Sequence, residues 1–304
     1  FWMFRYLERA GNTARLIEAG FRIALTRSTD PASEWKSVIV TSSTRGAYEA
    51  KYDTYDSARV TDFLLRDPDN PNSVLSVVKS ARDNARMVRT SLTTEVWGAV
   101  NETWMLLNRI LKDPVPETDL PEVLAAIRQQ SALVRGALHG TMLRNDIYDF
   151  CQLGTFIERM DSTARIIDVK YYALLPASSF VGSSMDNVQW EMILRSVSAH
   201  ASFRWAVEGE YNAPNIANFL ILDIRLPRSL AYCSSQLVDN LEYLAYDYGE
   251  RSQSLVLAEA LSTRLKNRDI GSIFDEGLHE FLTSFIADTA AVGRQIEQDY
   301  RFNA

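Results

Sequence analysis

Glu8, Asn12 and Arg15 stand at i, i+4 and i+7, so on a helix they share one face. The same spacing returns at Glu158, Ser162 and Arg165, at a constant offset of 150 residues. Both copies read Glu-Arg-x-x-x-Thr-Ala-Arg. Arg9 and Arg159 fall on a neighbouring face, and Asp161 can pair with Arg165 one turn on. Carboxylates and guanidiniums in this order support three chemistries. The plainest is structural: Glu–Arg pairs and Thr–backbone contacts lock each helix to its neighbours, for specificity more than stability. The second is a shared central cleft that the two helices face and that binds an acidic or zwitterionic ligand. The third is catalysis, with Glu8 or Glu158 as general base and an Arg stabilising an oxyanion. A purely solvated face could differ between copies, so the repetition itself argues for contact with something.

A second pattern occurs once only. Arg82, Arg86 and Arg89 form an i, i+4, i+7 stripe, and the matching positions at an offset of 156 are Val238, Glu242 and Ala245. Three Arg on one face repel each other unless carboxylates or an anion lie opposite. Solvation or pairing with another helix accounts for them, and an anion-binding or partner-binding face is the alternative. Arg228, after Pro227 at an expected helix start, is a lesser candidate of the same kind.

Other chemistries lack their residues. A di-iron bundle needs Glu-x-x-His twice plus two further Glu. Glu276-Gly277-Leu278-His279 is a single match, so no metal is expected and His279 reads as a surface or helix-end residue. No phosphate loop, dinucleotide glycine fingerprint or Gly-x-Ser-x-Gly elbow occurs, and no cofactor is expected. Cys151 and Cys233 lie in apolar helical contexts and read as core thiols.

Helices must position these side chains. Met3, Leu7, Ala10, Ala14, Ile17 and Phe21 recur at three- and four-residue steps, predicting a helix to about Thr26 that stops before Asp30-Pro31. Further helices are expected from Ser33, over Ala58 to Leu65, and from Ser73 in one bent run to Leu111. Another spans Glu122 to Leu138. The pattern then restarts: a helix from Asn145 to Leu175, a loop from Pro176 to Asn187, and helices near Ser229–Tyr246, Arg251–Leu265 and Ile273–Tyr300. Trp190 answers Trp35, and Pro227-Arg228-Ser229 answers Pro71-Asn72-Ser73. The reading is all-α, a duplicated multi-helix bundle with repeats at 1–140 and 145–304 related by a pseudo-two-fold. Each repeat needs its partner to bury an apolar face.

Bulk properties fit. The 304 residues are 46% hydrophobic, with 13 Gly and 9 Pro. A net charge of −7 argues against a general nucleic-acid binder. Of the 32 basic residues 26 are Arg, the better residue for bidentate contacts. Two cysteines give no disulfide framework and suit a reducing cytoplasm. No apolar run reaches the roughly 18–20 residues of a membrane span, and no Lys-rich face suggests a membrane surface. No signal peptide is visible, and the abrupt opening on Phe1-Trp2-Met3-Phe4 suggests that some residues precede it.

These residues resemble the alpha-E family of bacterial all-helical proteins. The likeness rests on Arg5-Tyr6-Leu7-Glu8-Arg9-x-x-Asn12-Thr13-Ala14-Arg15, on Asn70-Pro71-x-Ser73, and on Ala81-Arg82-x-Asn84-Ala85-Arg86-x-Val88-Arg89. It continues through Leu92-x-x-Glu95-x-Trp97 and Asn101, then Leu153-Gly154-x-x-Ile157-Glu158-Arg159-x-Asp161-x-Thr163-x-Arg165-x-x-Asp168, and Pro227-Arg228-Ser229-Leu230. The resemblance implies a genomic association with a circularly permuted ATP-grasp protein, often near a transglutaminase-like peptidase. It implies a role in making or removing peptide or amide bonds. The expected function is an accessory scaffold for an ATP-grasp amide ligase, holding an acidic or amino-acid-like substrate between the repeats. Glu8, Arg9, Asn12, Arg15, Glu158, Arg159, Asp161 and Arg165 would line its cleft, and Arg82, Arg86, Arg89 and Arg228 would make anion or partner contacts. An amidohydrolase or transferase with a Glu base, and a ligand-free interaction platform, are the alternatives.

Overall fold

Polar side chains set where the helices begin. Asp56, Ser73, Thr93, Asn212, Ser229, Ser252 and Asp269 each accept a hydrogen bond from the backbone N–H three residues on. Each satisfies a donor that the first helical turn leaves open. The computed structural model describes residues 1–26, 31–173 and 184–302. Regular structure among the described residues is helical throughout. The chain divides into two compact units, Phe1–Thr155 and Phe156–Ala304.

The first unit contains α1 (Trp2–Thr26), α2 (Pro31–Thr41), α3 (Arg45–Glu49), α4 (Ser57–Leu65), α5 (Val74–Met87), α6 (Thr94–Ile110), α7 (Leu120–Thr141) and the start of α8 (Asp146–Ala173). Helix α1 packs on α5 and α7, and α6 packs on the same two, closing a four-helix ring. Its centre is apolar: Phe4, Leu7, Ala81, Ala85, Val96, Val100, Val134 and Leu138 are all buried. Beside the ring, Tyr48 of α3 meets Phe63 of α4 edge-on at 5.2 Å.

The second unit holds the rest of α8, then α9 (Ser184–Ser196), α10 (His200–Ala206), α11 (Ala213–Ile221), α12 (Leu230–Tyr248), α13 (Gln253–Lys266), α14 (Ile270–Glu276) and α15 (Leu278–Asp299). Helix α13 packs on α12 and α15, and α11 lies against α9, α12 and α14. Phe203 of α10 meets Phe219 of α11 edge-on at 5.4 Å.

Several expectations need correction. The single run from Ser73 to Leu111 is two helices, with a 3-10 turn at Arg89–Ser91 between them. The segment Thr90-Ser91-Leu92-Thr93-Thr94 is poor in helix formers, and the Thr93 hydroxyl starts α6 by capping Val96. The run from Ile273 to Tyr300 breaks at Gly277, whose φ of 102° is open to glycine but not to L side chains. The short helices α3 and α10 carry too few residues for a periodic signal. The second helix starts at Pro31, not Ser33; the stop at Asp30 lies outside the described residues. So does the loop expected over 176–187 as far as 183, and from Ser184 the chain is helical.

Candidate functional site

In the first unit the polar face of α1 is buried against α7. Glu8, Asn12 and Arg15 are all largely withdrawn from solvent. Arg135 Nη1 of α7 donates to Glu8 Oε2 at 3.0 Å. One turn along, the Ser131 hydroxyl donates to the Leu7 carbonyl oxygen at 3.1 Å. A Cβ on Gly11 would stand 3.1 Å from Ser131 Oγ and 3.2 Å from Arg15 Nη1, so the absent side chain makes room for both. Arg128 closes the seam on Glu18. Rising numbers on α1 meet falling numbers on α7, so the two helices run antiparallel. The spacing Arg128, Ser131, Arg135, a polar stripe on one helix face, is the sequence signal for this partner face.

Arg9 points elsewhere. Its Nη1 donates to Asn72 Oδ1 at 2.8 Å, and its guanidinium lies 5.7 Å from the Tyr6 ring. Asn72 directly precedes Ser73, the cap of α5. In the second unit Arg159 Nη1 donates to the Pro227 carbonyl oxygen at 3.1 Å, and its guanidinium lies 5.4 Å from the Phe156 ring. Pro227 stands two residues before Ser229, the cap of α12. Each Arg therefore ties the long helix on which it sits to the turn that starts a second one. An aromatic one turn back holds the guanidinium in place.

Glu158 is buried in the second unit. Arg165 grips Asp161 through two parallel bonds, Nε to Oδ2 at 2.7 Å and Nη2 to Oδ1 at 2.9 Å. Burial works against the Arg165 charge, but Asp161, Glu158 and Asp168 outweigh it and raise the group above its ordinary value. Asp161 and Arg165 stay partly open, with side chains 26% and 31% exposed. Asp168, one turn beyond, accepts from or donates to His279 Nδ1 at 2.6 Å. Burial raises the Asp168 pKa against the opposing effect of His279. His279 therefore sits at the start of α15, as a helix-end residue, but half-buried and engaged.

The arginine stripe is shorter than its spacing suggests. Arg82 Nε donates to Asn101 Oδ1 at 2.8 Å, joining α5 to α6. Arg86 is exposed at the end of α5. Arg89 has left the helix for the 3-10 turn, where it lies 5.4 Å from the Trp97 ring. Arg228 is partly buried in the turn that Arg159 holds. Cys151 and Cys233 are buried thiols, and burial pushes Cys151 up to about 11. Among the described residues no group of three or more His, Cys, Asp or Glu is placed to hold a metal ion. No helix among them is long and apolar enough to cross a membrane.

A family model described as a predicted alpha-helical domain with a conserved ER motif matches residues 1–300. Glu8-Arg9 and Glu158-Arg159 are ER pairs on α1 and α8. Among curated proteins, the uncharacterized proteins Rv2567 of Mycobacterium tuberculosis (strain H37Rv) and Mb2597 of Mycobacterium bovis are each 25% identical over 327 residues. Each match covers 97% of this chain and 35% of the relative, so the chain spans about a third of the length of the curated relatives it matches. No solved structure matches the chain.

Proposed function

The chain belongs to the Alpha-E family, and from that premise we propose an accessory scaffold that works beside a circularly permuted ATP-grasp ligase in peptide or amide-bond formation. The observation that carries this reading is the placement of Arg9 and Arg159, the arginines of the ER pairs on α1 and α8. Arg9 and Arg159 are spent on the turns before α5 and α12, and Glu8 is engaged by Arg135. A carboxylate held by a guanidinium and closed off from solvent is poorly placed to take a proton from a substrate. These groups build a rigid frame, which suits a holding role over an amidohydrolase or transferase with a Glu base. Asp161 and Arg165, the partly open pair, are the side chains able to meet the ammonium or carboxylate of an acidic or amino-acid-like substrate.

We read the two units as copies of one ancestral repeat, with a pseudo-two-fold between them. Supporting this, α4 and α11 share one offset of 156 residues with the caps Ser73 and Ser229, and each unit has the same edge-on aromatic pair beside its short helix. The reading places the protein in the cytoplasm, where its ATP-dependent partner would act.

The test is co-expression with a circularly permuted ATP-grasp protein from the same source, followed by affinity purification and an assay of ADP release with amino-acid and peptide substrates. A stable complex whose turnover drops in the Asp161→Asn/Arg165→Gln variant supports the proposal. Absence of any complex, with ligase turnover unchanged by added chain, sinks it.

A further inference from the structure

Two exposed patches of opposite character lie outside the packed faces, one on each unit. At the end of α5, Met87 and Val88 are 82% and 47% exposed, between exposed Arg86 and Arg89. Asp83 nearby is occupied by Lys79 at 2.9 Å, so the two end arginines dominate this patch. At the end of α12, Tyr243 and Tyr246 are 62% and 86% exposed, among exposed Glu242, Asp247 and Glu250. Gly249, in the left-handed conformation, ends the helix there.

We propose that the α5 end of one copy docks on the α12 end of a second copy of this chain. The chemistry matches residue type for residue type. Arg guanidiniums pair with carboxylates and stack on tyrosine faces. A Met side chain packs against an aromatic ring. Met, Tyr and Arg are the residues enriched at protein contacts, and exposed clusters of them are unusual on an isolated surface. Neither patch can pair with itself, because Arg would face Arg and Glu would face Glu. The contact therefore joins two unlike patches, the α5 end of one copy and the α12 end of the other. A contact of a few residues on each side belongs to the small, weak class of interface, so the test must reach high protein concentration.

The inference rests on these patches alone and stands apart from the ligase reading. It is tested on the whole chain by sedimentation velocity from about 1 to about 200 µM, a span bracketing micromolar affinity. At low salt the mass should climb above that of one 34.4 kDa chain as concentration rises. It should fall back near 1 M salt, where the screening length drops to about 3 Å. Arg86→Glu/Arg89→Glu and, separately, Glu242→Arg/Asp247→Arg should each weaken association by about 100-fold, the several-kcal/mol penalty of like charges at 1.4 kcal/mol per tenfold. Mixing the two variants should restore it, since each then meets its complement. All four sites are exposed, and an unchanged helical circular dichroism spectrum verifies the fold. A constant single-chain mass throughout overturns the proposal, as does association that ignores both reversals or that mixing fails to restore.

Discussion

Arg135→Met asks whether the repeated Glu is a framework residue. The Glu8 side chain is 1% exposed and that of Arg135 is 21%. Removing the guanidinium leaves a carboxylate shut away from water beside α7. Breaking a buried pair from one side costs about 3–5 kcal/mol. Glu8 keeps other contacts, so the lower end of about 3 kcal/mol is expected. Glu8→Gln/Arg135→Met removes both charges at similar volume and should fold within about 1 kcal/mol of the parent chain. The assay is urea unfolding followed by circular dichroism, with the first unit's transition resolved where the two units separate. At about 1–3 kcal/mol per molar urea, the single variant should lower that midpoint by at least about 1 M. The double variant should recover most of the loss. A single variant within about 1 kcal/mol of the parent, or a double variant worse than the single, would refute the claim that Glu8 depends on Arg135.

Other perturbations read other parts of the frame. Arg159→Met should cost about 2 kcal/mol by urea unfolding, because a charge-assisted bond to the Pro227 carbonyl and the contact with the Phe156 ring both go. A Cβ on Gly154 would stand 2.3 Å from the Phe1 carbonyl oxygen. Gly154→Ala must therefore push backbone from backbone, and a loss of about 1–3 kcal/mol should appear as a lower thermal midpoint. Gly277→Ala forces an L residue to a φ of 102° between α14 and α15 and should cost about 1–3 kcal/mol in the same measurement. Burial makes the Cys151 thiol hold its proton more tightly in the folded chain, pushing it up to about 11. Its contribution is complete below the unfolded value and is lost as pH rises through that window. Cys151→Ala should flatten the alkaline fall in stability there.

The helical fold was legible because its signal is periodic. Met3, Leu7, Ala10, Ala14 and Ile17 declare a buried face wherever they are read, and α1 buries all of them. Caps were legible for the same reason: Ser73 and Ser229 act through their own next turn. What stayed hidden depends on neighbours distant in sequence. Nothing near Glu8 names Arg135, which is 127 residues away. Nothing near Asp168 names His279, 111 residues on. The break at Val88–Thr93 was missed because apolar residues continue at helical steps on both sides of it. What ends the helix is a local cluster of hydroxyl side chains that favours a cap over another turn.

Arg9 and Arg159 explain why the ER pair can matter on both α1 and α8. A cap such as Ser73 or Ser229 works only if its turn is held in the extended backbone that aims the hydroxyl at the N–H three residues on. Arg9 and Arg159 supply that hold from another helix, through Asn72 in one unit and the Pro227 carbonyl in the other. One such bond goes to a side chain and the other to a backbone carbonyl, and both reach the turn before a cap. Bonds that hold the turns before helix caps are the work of a folding constraint. The units differ at the ends of α5 and α12, arginine and methionine on one and tyrosine and carboxylate on the other. Exposed helix ends of unlike chemistry are where specific contacts with other molecules have room to arise.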